Sequence, residues 1–280
     1  MKRLFGILSV MVVMAFSCNN PNNGTTPQQK TDKLNDIVSR KEMKVGYLIF
    51  SPCVIKNQQS GELSGIYIDM VNQIAAGLKV KVTWVETTLA NFSSGLNANQ
   101  FDFCVGPTFV TIPRATAVAF SQPVNYVGNS AVILKKGNFH PKIISDLNKK
   151  GIRISVLQGQ AMEEFCKRNF PEAEIVSLAG SDLTAPLLAV SSNKADIGFM
   201  NNVTVTNYAK EHSEVQPVFE ENDQVEILPL AWTTKFEDQS LLTFLNSSIT
   251  YLQSTGRLAE YQKKYEIQIL YDIPKLEKLK

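Results

Sequence analysis

From residue 42 onward, short apolar runs alternate with stretches whose apolar residues recur every three or four positions. The runs at 44–50, 81–85, 101–105, 131–134, 153–157, 173–177, 197–200 and 227–233 predict strands. Between them, Met70, Ile74 and Leu78 fall on one face of a helix predicted over 69–78 and ending beside Gly77. Stretches 162–168 and 184–191 follow similar spacing. Near the end, Leu241, Leu245, Ile249 and Leu252 mark a helix over 238–254, with Gly256 as its stop. Strands alternating with helices imply parallel sheets covered on both faces, which is an α/β architecture.

The first residues break this alternation. Met1-Lys2-Arg3 precedes an apolar run over 4–16 and then Ser17-Cys18. A basic start followed by so short a run reads as a secretory signal, because a membrane span needs about 20 residues. Ala15 and Ser17 before Cys18 resemble a lipoprotein processing box, so 1–17 is expected to be a lipoprotein signal peptide and Cys18 the lipidated residue. Residues 19–30 contain no aliphatic or aromatic side chain. Segment 18–41 is accordingly expected to be a flexible, lipid-anchored tether holding the folded body roughly 20 Å from the membrane. The expected product is an exported, membrane-anchored lipoprotein facing the periplasm or the cell exterior.

Composition narrows the choice. The chain has 280 residues, 44% apolar and 19% charged, with 28 Lys+Arg against 26 Asp+Glu. Near-balanced charge without a basic stripe speaks against nucleic acid, and the apolar fraction speaks against disorder. The length suggests two domains or one bilobed unit. His140 and His212 lie apart from each other and from the cysteines, so neither a metal site nor a histidine-dependent triad is expected, and no cofactor is implied. Once Cys18 is set aside, Cys53, Cys104 and Cys166 cannot all pair. They are expected to be small buried hydrophobes, with a Cys53–Cys104 disulfide as the alternative.

In open α/β sheets ligands bind beyond the carboxyl ends of strands. One predicted strand runs into Gly106-Pro107-Thr108 and then Thr111-Ile112-Pro113-Arg114, an apolar stretch ending in a fixed positive charge. Another runs into Phe50-Ser51-Pro52. A third runs into Gln158-Gly159-Gln160 and a helix start, whose free amides form a weak anion site.

At these residues the chain resembles the family 3 extracellular solute-binding proteins, the polar-amino-acid receptors of ABC importers. The matching elements are Gly61-Glu62-Leu63-Ser64-Gly65-Ile66-Tyr67-Ile68-Asp69, Phe101-Asp102 through Thr111-x-x-Arg114, Ala119-Phe120-Ser121-Gln122-Pro123, Val156-Leu157-Gln158-Gly159 and Ala195-Asp196-Ile197, in the family's order. The resemblance implies a two-lobed periplasmic binding protein type 2 fold, each lobe a mostly parallel sheet flanked by helices, joined by two crossover hinge strands. Lobe 1 would be 42–127 plus 232–280 and lobe 2 would be 128–231, with crossovers near 126–131 and 228–232.

The same resemblance implies roles for individual residues. Arg114 matches the arginine that grips a ligand carboxylate, a task suited to its two-pronged donor geometry. Phe50 matches the aromatic that covers the ligand's aliphatic part, and Pro107 the position that offers a backbone carbonyl. Departures bear on the ligand. Phe109 stands where a Ser or Thr donor is expected, Ala161 replaces a Thr after Gly159 and Gln160, and Leu89 replaces a second aromatic. Asn201 falls at the position of the lobe-2 acid that pairs with an α-ammonium, and its neighbour Asn202 is also neutral. A neutral amide cannot offset a buried ammonium, so a carboxylate without one, or an amino acid in a rearranged pose, fits better. Asp69 is expected to support the helix start.

The implied function is a monomeric receptor that delivers a small carboxylate-bearing solute to an ABC permease and performs no chemistry. Two alternatives stay open. One is an enzyme resembling the cyclohexadienyl dehydratases, which share this scaffold; it would need a titratable pair in the cleft, and none of the motif positions supplies one. The other is a sensory ligand-binding protein that does not transport.

Overall fold

A computed structural model describes residues 32–218 and 225–265. The signal peptide, Cys18 and the tether as far as residue 31 lie outside these described residues. The elements are α1 (Lys33–Arg40), β1 (Glu42–Tyr47), β2 (Ile55–Lys56), β3 (Leu63–Ser64), α2 (Ile66–Leu78), β4 (Lys81–Glu86), α3 (Phe92–Asn97), β5 (Phe103–Val105), α4 (Ile112–Ala115), β6 (Ala119–Phe120) and β7 (Asn125–Leu134). After a 3-10 turn at Ile144–Leu147 come β8 (Arg153–Leu157), α5 (Ala161–Asn169), β9 (Glu174–Leu178), α6 (Ala185–Ser191), β10 (Ile197–Asn201), α7 (Asn202–Glu211), β11 (Val215–Pro217), β12 (Glu226–Leu230), β13 (Thr233–Thr234), α8 (Gln239–Ser254) and α9 (Arg257–Lys264).

Two sheets, each flanked by helices, form two lobes. The five-stranded sheet of lobe 1 has the order β4-β1-β5-β13-β6, and the six-stranded sheet of lobe 2 the order β11-β7-β10-β8-β9, with β12 also on β7. The sheets are mixed rather than mostly parallel. In each, a parallel trio (β4-β1-β5 and β10-β8-β9) is extended by antiparallel strands. The reason is connectivity: β7 enters lobe 2 and β12 leaves it, so the two crossovers run antiparallel, from Glu226 opposite Asn129 to Leu230 opposite Asn125. The run predicted at 227–233 therefore splits. It ends on the lobe-2 sheet at Leu230 and resumes on the lobe-1 sheet at Thr233, because the chain changes sheets at Ala231-Trp232.

Side-chain periodicity explains the packing. Ile66, Tyr67, Met70, Val71, Ile74 and Ala75 bury one stripe of α2, and Leu241, Leu245, Ile249 and Leu252 bury one stripe of α8. Both stripes belong to the same core cluster as Trp232, which is fully buried with its ring 5.8 Å from Phe103 and 6.0 Å from Tyr67. Each such large side chain contributes about 1.5–3 kcal/mol by leaving water. Gly77 lies inside α2, and the left-handed cap is Lys79, with φ 56°. Gly256, with φ 76°, both ends the α8 region and opens α9. In lobe 2, Gly198 is required by close packing, since a Cβ there would meet the Pro186 carbonyl oxygen at 2.4 Å.

Residues 33–41 are not part of a flexible tether. Asp32 caps α1 by accepting the Leu34 N–H at 3.0 Å, and Ile37 is fully buried in the lobe-1 core. Arg40 pairs with Asp102, a buried carboxylate that also accepts the Lys44 N–H at 2.8 Å. Three apolar residues, Leu34, Ile37 and Val38, were too few to signal this helix by periodicity. The run Val203-Thr204-Val205-Thr206 hid α7 in the same way, since β-branched residues favour strands. Its helix follows from the Asn201 cap and from burial of Val205 and Tyr208. Cys53, Cys104 and Cys166 are buried free thiols, so Cys53 and Cys104 do not pair. Burial pushes the Cys53 thiol up to about 12, which makes it inert. Asp69 accepts from Lys264 at 2.7 Å and from the Tyr265 hydroxyl at 3.2 Å, tying α2 to the C-terminal end of α9.

Candidate functional site between the lobes

The lobe-1 side of the site is built on the segment after β5. Gly106 takes φ 151° and passes so close to Leu48 that a Cβ would lie 2.8 Å from its side chain. Thr108, fully buried, donates to the Ala231 carbonyl at 2.9 Å, Phe109 bridges Leu230, and the Val110 N–H reaches the Pro229 carbonyl at 3.0 Å. These bonds fix the segment to the returning crossover. Thr111 then caps α4, its hydroxyl accepting the Arg114 N–H at 3.4 Å. The short helix that follows aims the Arg114 side chain across the lobes.

The Arg114 guanidinium is half-buried and donates to one backbone carbonyl from each lobe: Nη1 to Phe109 at 3.2 Å and Nη2 to Gly159 at 3.4 Å. Among the described residues no carboxylate oxygen lies within 4.0 Å of it. Burial alone lowers its pKa, and no neighbouring acid opposes that shift. Carbonyl dipoles solvate the ion without neutralising it, so the position favours an incoming anion.

The lobe-2 side begins at the turn after β8. Gly159 has φ 75°, and its N–H donates to Glu163 Oε2 at 2.6 Å. Glu163 also accepts from Lys167 and from the Ser177 hydroxyl, each at 2.7 Å. Burial acts to raise its pKa, but these donors prevail and hold the carboxyl at about 2. A permanently ionised Glu163 thus locks the turn whose carbonyl meets Arg114. Gln160 is the N-cap of α5, with no side-chain cap bond, and Ala161 is the first helical residue. Asn201 ends β10 on the same sheet edge, because β8 and β10 are parallel. It is 3% exposed, and its Oδ1 accepts the Thr204 N–H at 2.9 Å.

The remaining expected residues divide. The Pro107 carbonyl accepts the Phe109 N–H at 3.1 Å, which leaves one lone pair free. Leu89 is half-buried against the Leu48, Phe92, Phe101 and Cys104 cluster. Phe109 touches Arg114 through its backbone while its ring, 7% exposed, packs in the lobe-1 core. Phe50 is 5% exposed in that same core, exchanging backbone bonds with Val54 at 2.9 and 2.8 Å. Glu163 was missed by sequence reasoning. An acid in the first helical turn, four residues after a Gly, was the available signal for a carboxylate that reaches back to a free amide. Among the described residues, no group of three His, Cys, Asp or Glu is placed to hold a metal ion, and no helix is long and apolar enough to cross a membrane.

Comparison with known proteins gives a concordant result. The model for bacterial extracellular solute-binding proteins, family 3, matches residues 43–268. The histidine-binding periplasmic protein of Escherichia coli (strain K12) is 26% identical over 282 residues, covering 95% of this chain and 97% of that protein. The ABC transporter glutamine-binding protein of Bacillus subtilis (strain 168) is 24% identical, covering 94% of each. Among solved structures, an ancestral amino acid-binding protein described as a precursor of cyclohexadienyl dehydratase superposes with a TM-score of 0.71 at 25% identity, covering 84% of this chain and 99% of that one.

Proposed function

Because the chain belongs to the family 3 bacterial extracellular solute-binding proteins, we propose that it is the substrate-binding lipoprotein of an ABC importer. It captures a small carboxylate-bearing solute, an amino acid or an amino-acid-like acid, between its lobes and hands it to a membrane permease without altering it. The observation that carries this reading is the Arg114 guanidinium, half-buried between the lobes with carbonyls as its only partners among the described residues. A carboxylate there would take up two parallel charge-assisted bonds, each worth about 1.5–3 kcal/mol when sheltered. Since the partners of Arg114 come from both lobes, a ligand in their place bridges the lobes and favours the closed state by the difference in its contacts. The relatives named for histidine and glutamine binding support the solute class. In this reading Cys18 holds the lipid, the exported protein works as a monomer, and α1 joins the tether to lobe 1.

Mass spectrometry of the protein purified without added solute tests the reading. A small acid should be released from the native protein and be missing from Arg114→Ala at equal folded yield. Retention of the same solute by that variant would remove the role assigned to Arg114.

A further inference from the structure

The lobe-2 wall of the cleft presents a hydrogen-bond donor where an amino acid would need an acceptor. Asn201 ends β10 on the edge shared with the Gly159 turn, and the Gly159 carbonyl is the lobe-2 partner of Arg114, so this edge faces the cleft. Along β10 the side chains of Ile197 and Phe199 enter the core beneath α5, and strand alternation places Asn201 on that same face, where α5 begins at Ala161. Its amide orientation is fixed by chemistry. The Thr204 N–H can be met only by oxygen, so Oδ1 is used by the cap, and Nδ2 is left with two N–H groups and no hydrogen bond among the described residues. Asn201 is 3% exposed, and its Nδ2 is not one of the fully buried side-chain atoms lacking a partner, so it stays open to solvent or to a ligand.

No carboxylate among the described residues is bonded to Asn201; the nearest acid on this ladder with a buried, unpartnered oxygen is Glu226, through its Oε2, and Asp182, in the turn after β9, accepts the Thr184 N–H and hydroxyl at 2.8 Å each on Oδ1. Glu86, at the end of β4, is held by Lys56 at 2.5 Å and the Tyr47 hydroxyl at 3.0 Å. Glu163 is held by Lys167, Ser177 and Gly159. Glu226 lies two strands from Asn201 in the ladder, with Asn129 between them, and faces Arg168 of α5 at 3.6 Å. An ammonium beside Nδ2 would set N–H against N–H.

Resting on the reading of the cleft given above, we infer that the ligand is an α-keto or α-hydroxy acid: Arg114 takes its carboxylate, and Asn201 Nδ2 donates to the oxygen on the adjacent carbon. The α-amino acid of the same skeleton binds more weakly, because its ammonium meets a donor at this position.

Thermal shift and calorimetry with matched triplets decide this: pyruvate, lactate and alanine; α-ketoglutarate, α-hydroxyglutarate and glutamate; α-ketoisocaproate, α-hydroxyisocaproate and leucine. In at least one triplet the keto or hydroxy acid should bind, and the amino acid should bind about tenfold more weakly or worse. Asn201→Asp keeps the helix cap, because aspartate accepts the Thr204 N–H equally well, but it replaces the donor with a charge. That variant should reverse the order within the triplet. An amino acid that binds native protein as tightly as its keto partner, with binding lost in Arg114→Ala, overturns this inference alone. So does an unchanged order in Asn201→Asp. A panel in which no acid binds overturns it together with the carboxylate reading.

Discussion

The two edges of lobe 2 each meet an arginine, and the contrast between them separates architecture from function. At the far edge, Arg153 is met by a carboxylate on nearly every donor: Asp196 takes its backbone N–H at 2.8 Å, Nε at 3.1 Å and Nη2 at 2.9 Å, while Nη1 reaches the Asn193 carbonyl at 3.2 Å. At the cleft edge, Arg114 comes across from lobe 1 and finds two carbonyls. Both side chains are partly sheltered. What differs is the anion, supplied by the chain in one case and withheld in the other. A carboxylate-paired fork fastens β8 to the start of β10, whereas one held by carbonyls alone is, in the proposed reading, the group that receives a ligand anion.

The strongest way to break this comparison is Arg114→Ala, which should weaken binding of whichever small acid the native protein takes up about a hundredfold or more while leaving the melting temperature nearly unchanged. Calorimetry and a thermal melt on the same samples read both, and a large loss of stability would place Arg114 with Arg153 as a structural residue. Arg153→Ala should do the reverse. Stripped of its partner, Asp196 would destabilise the fold by about 1–2 kcal/mol, a modest figure because both side chains reach solvent, and ligand affinity should be kept.

A finer test lies in the Gly159 turn. Glu163→Ala frees the Gly159 N–H and the Ser177 hydroxyl, and affinity should fall roughly fivefold, about 1 kcal/mol, through a looser partner for Arg114. Undiminished affinity would show that the turn holds itself. The smallest expected effect is on acid stability. Arg153 hydrogen bonds hold the Asp196 pKa below its ordinary value, and Glu163 is held at about 2 instead of 4.5. Groups depressed on folding stabilise fully above the unfolded pKa and lose that contribution as pH falls through the folded one. Stability should therefore decline from about pH 4.5 downward to about pH 2. Glu163→Gln should flatten part of this decline, and a pH series of melts that superposes on the native one would discard the assignment.

Much of the fold could be read from periodicity, since strands buried on one or both faces and helices with an apolar stripe each leave a characteristic spacing. α8 and the parallel core strands β1, β4, β8 and β10 are of this kind. Segments whose structure depends on a cap or on one distant partner were not legible. α1 depends on Asp32 and on Asp102, far along the chain, and α7 on Asn201 overriding its β-branched residues. At the site, Arg114 was legible because a charge ending an apolar strand exit is locally conspicuous. Phe50 fits a ligand cover and a core equally by residue type, and the structure places it 5% exposed within the lobe-1 core.

The sequence by itself determined the alternation of strands with helices and the placing of a fixed charge where a strand exits. Both are properties of residue type and spacing, which need no partner to exist. Only the tertiary structure decided that the Gly159 carbonyl meets Arg114, that Glu163 holds that carbonyl in place, and that the Asn201 oxygen is consumed by its own helix. Those facts depend on which groups remain unpaired after packing, and hydrogen-bond satisfaction is settled between segments that are remote in the chain.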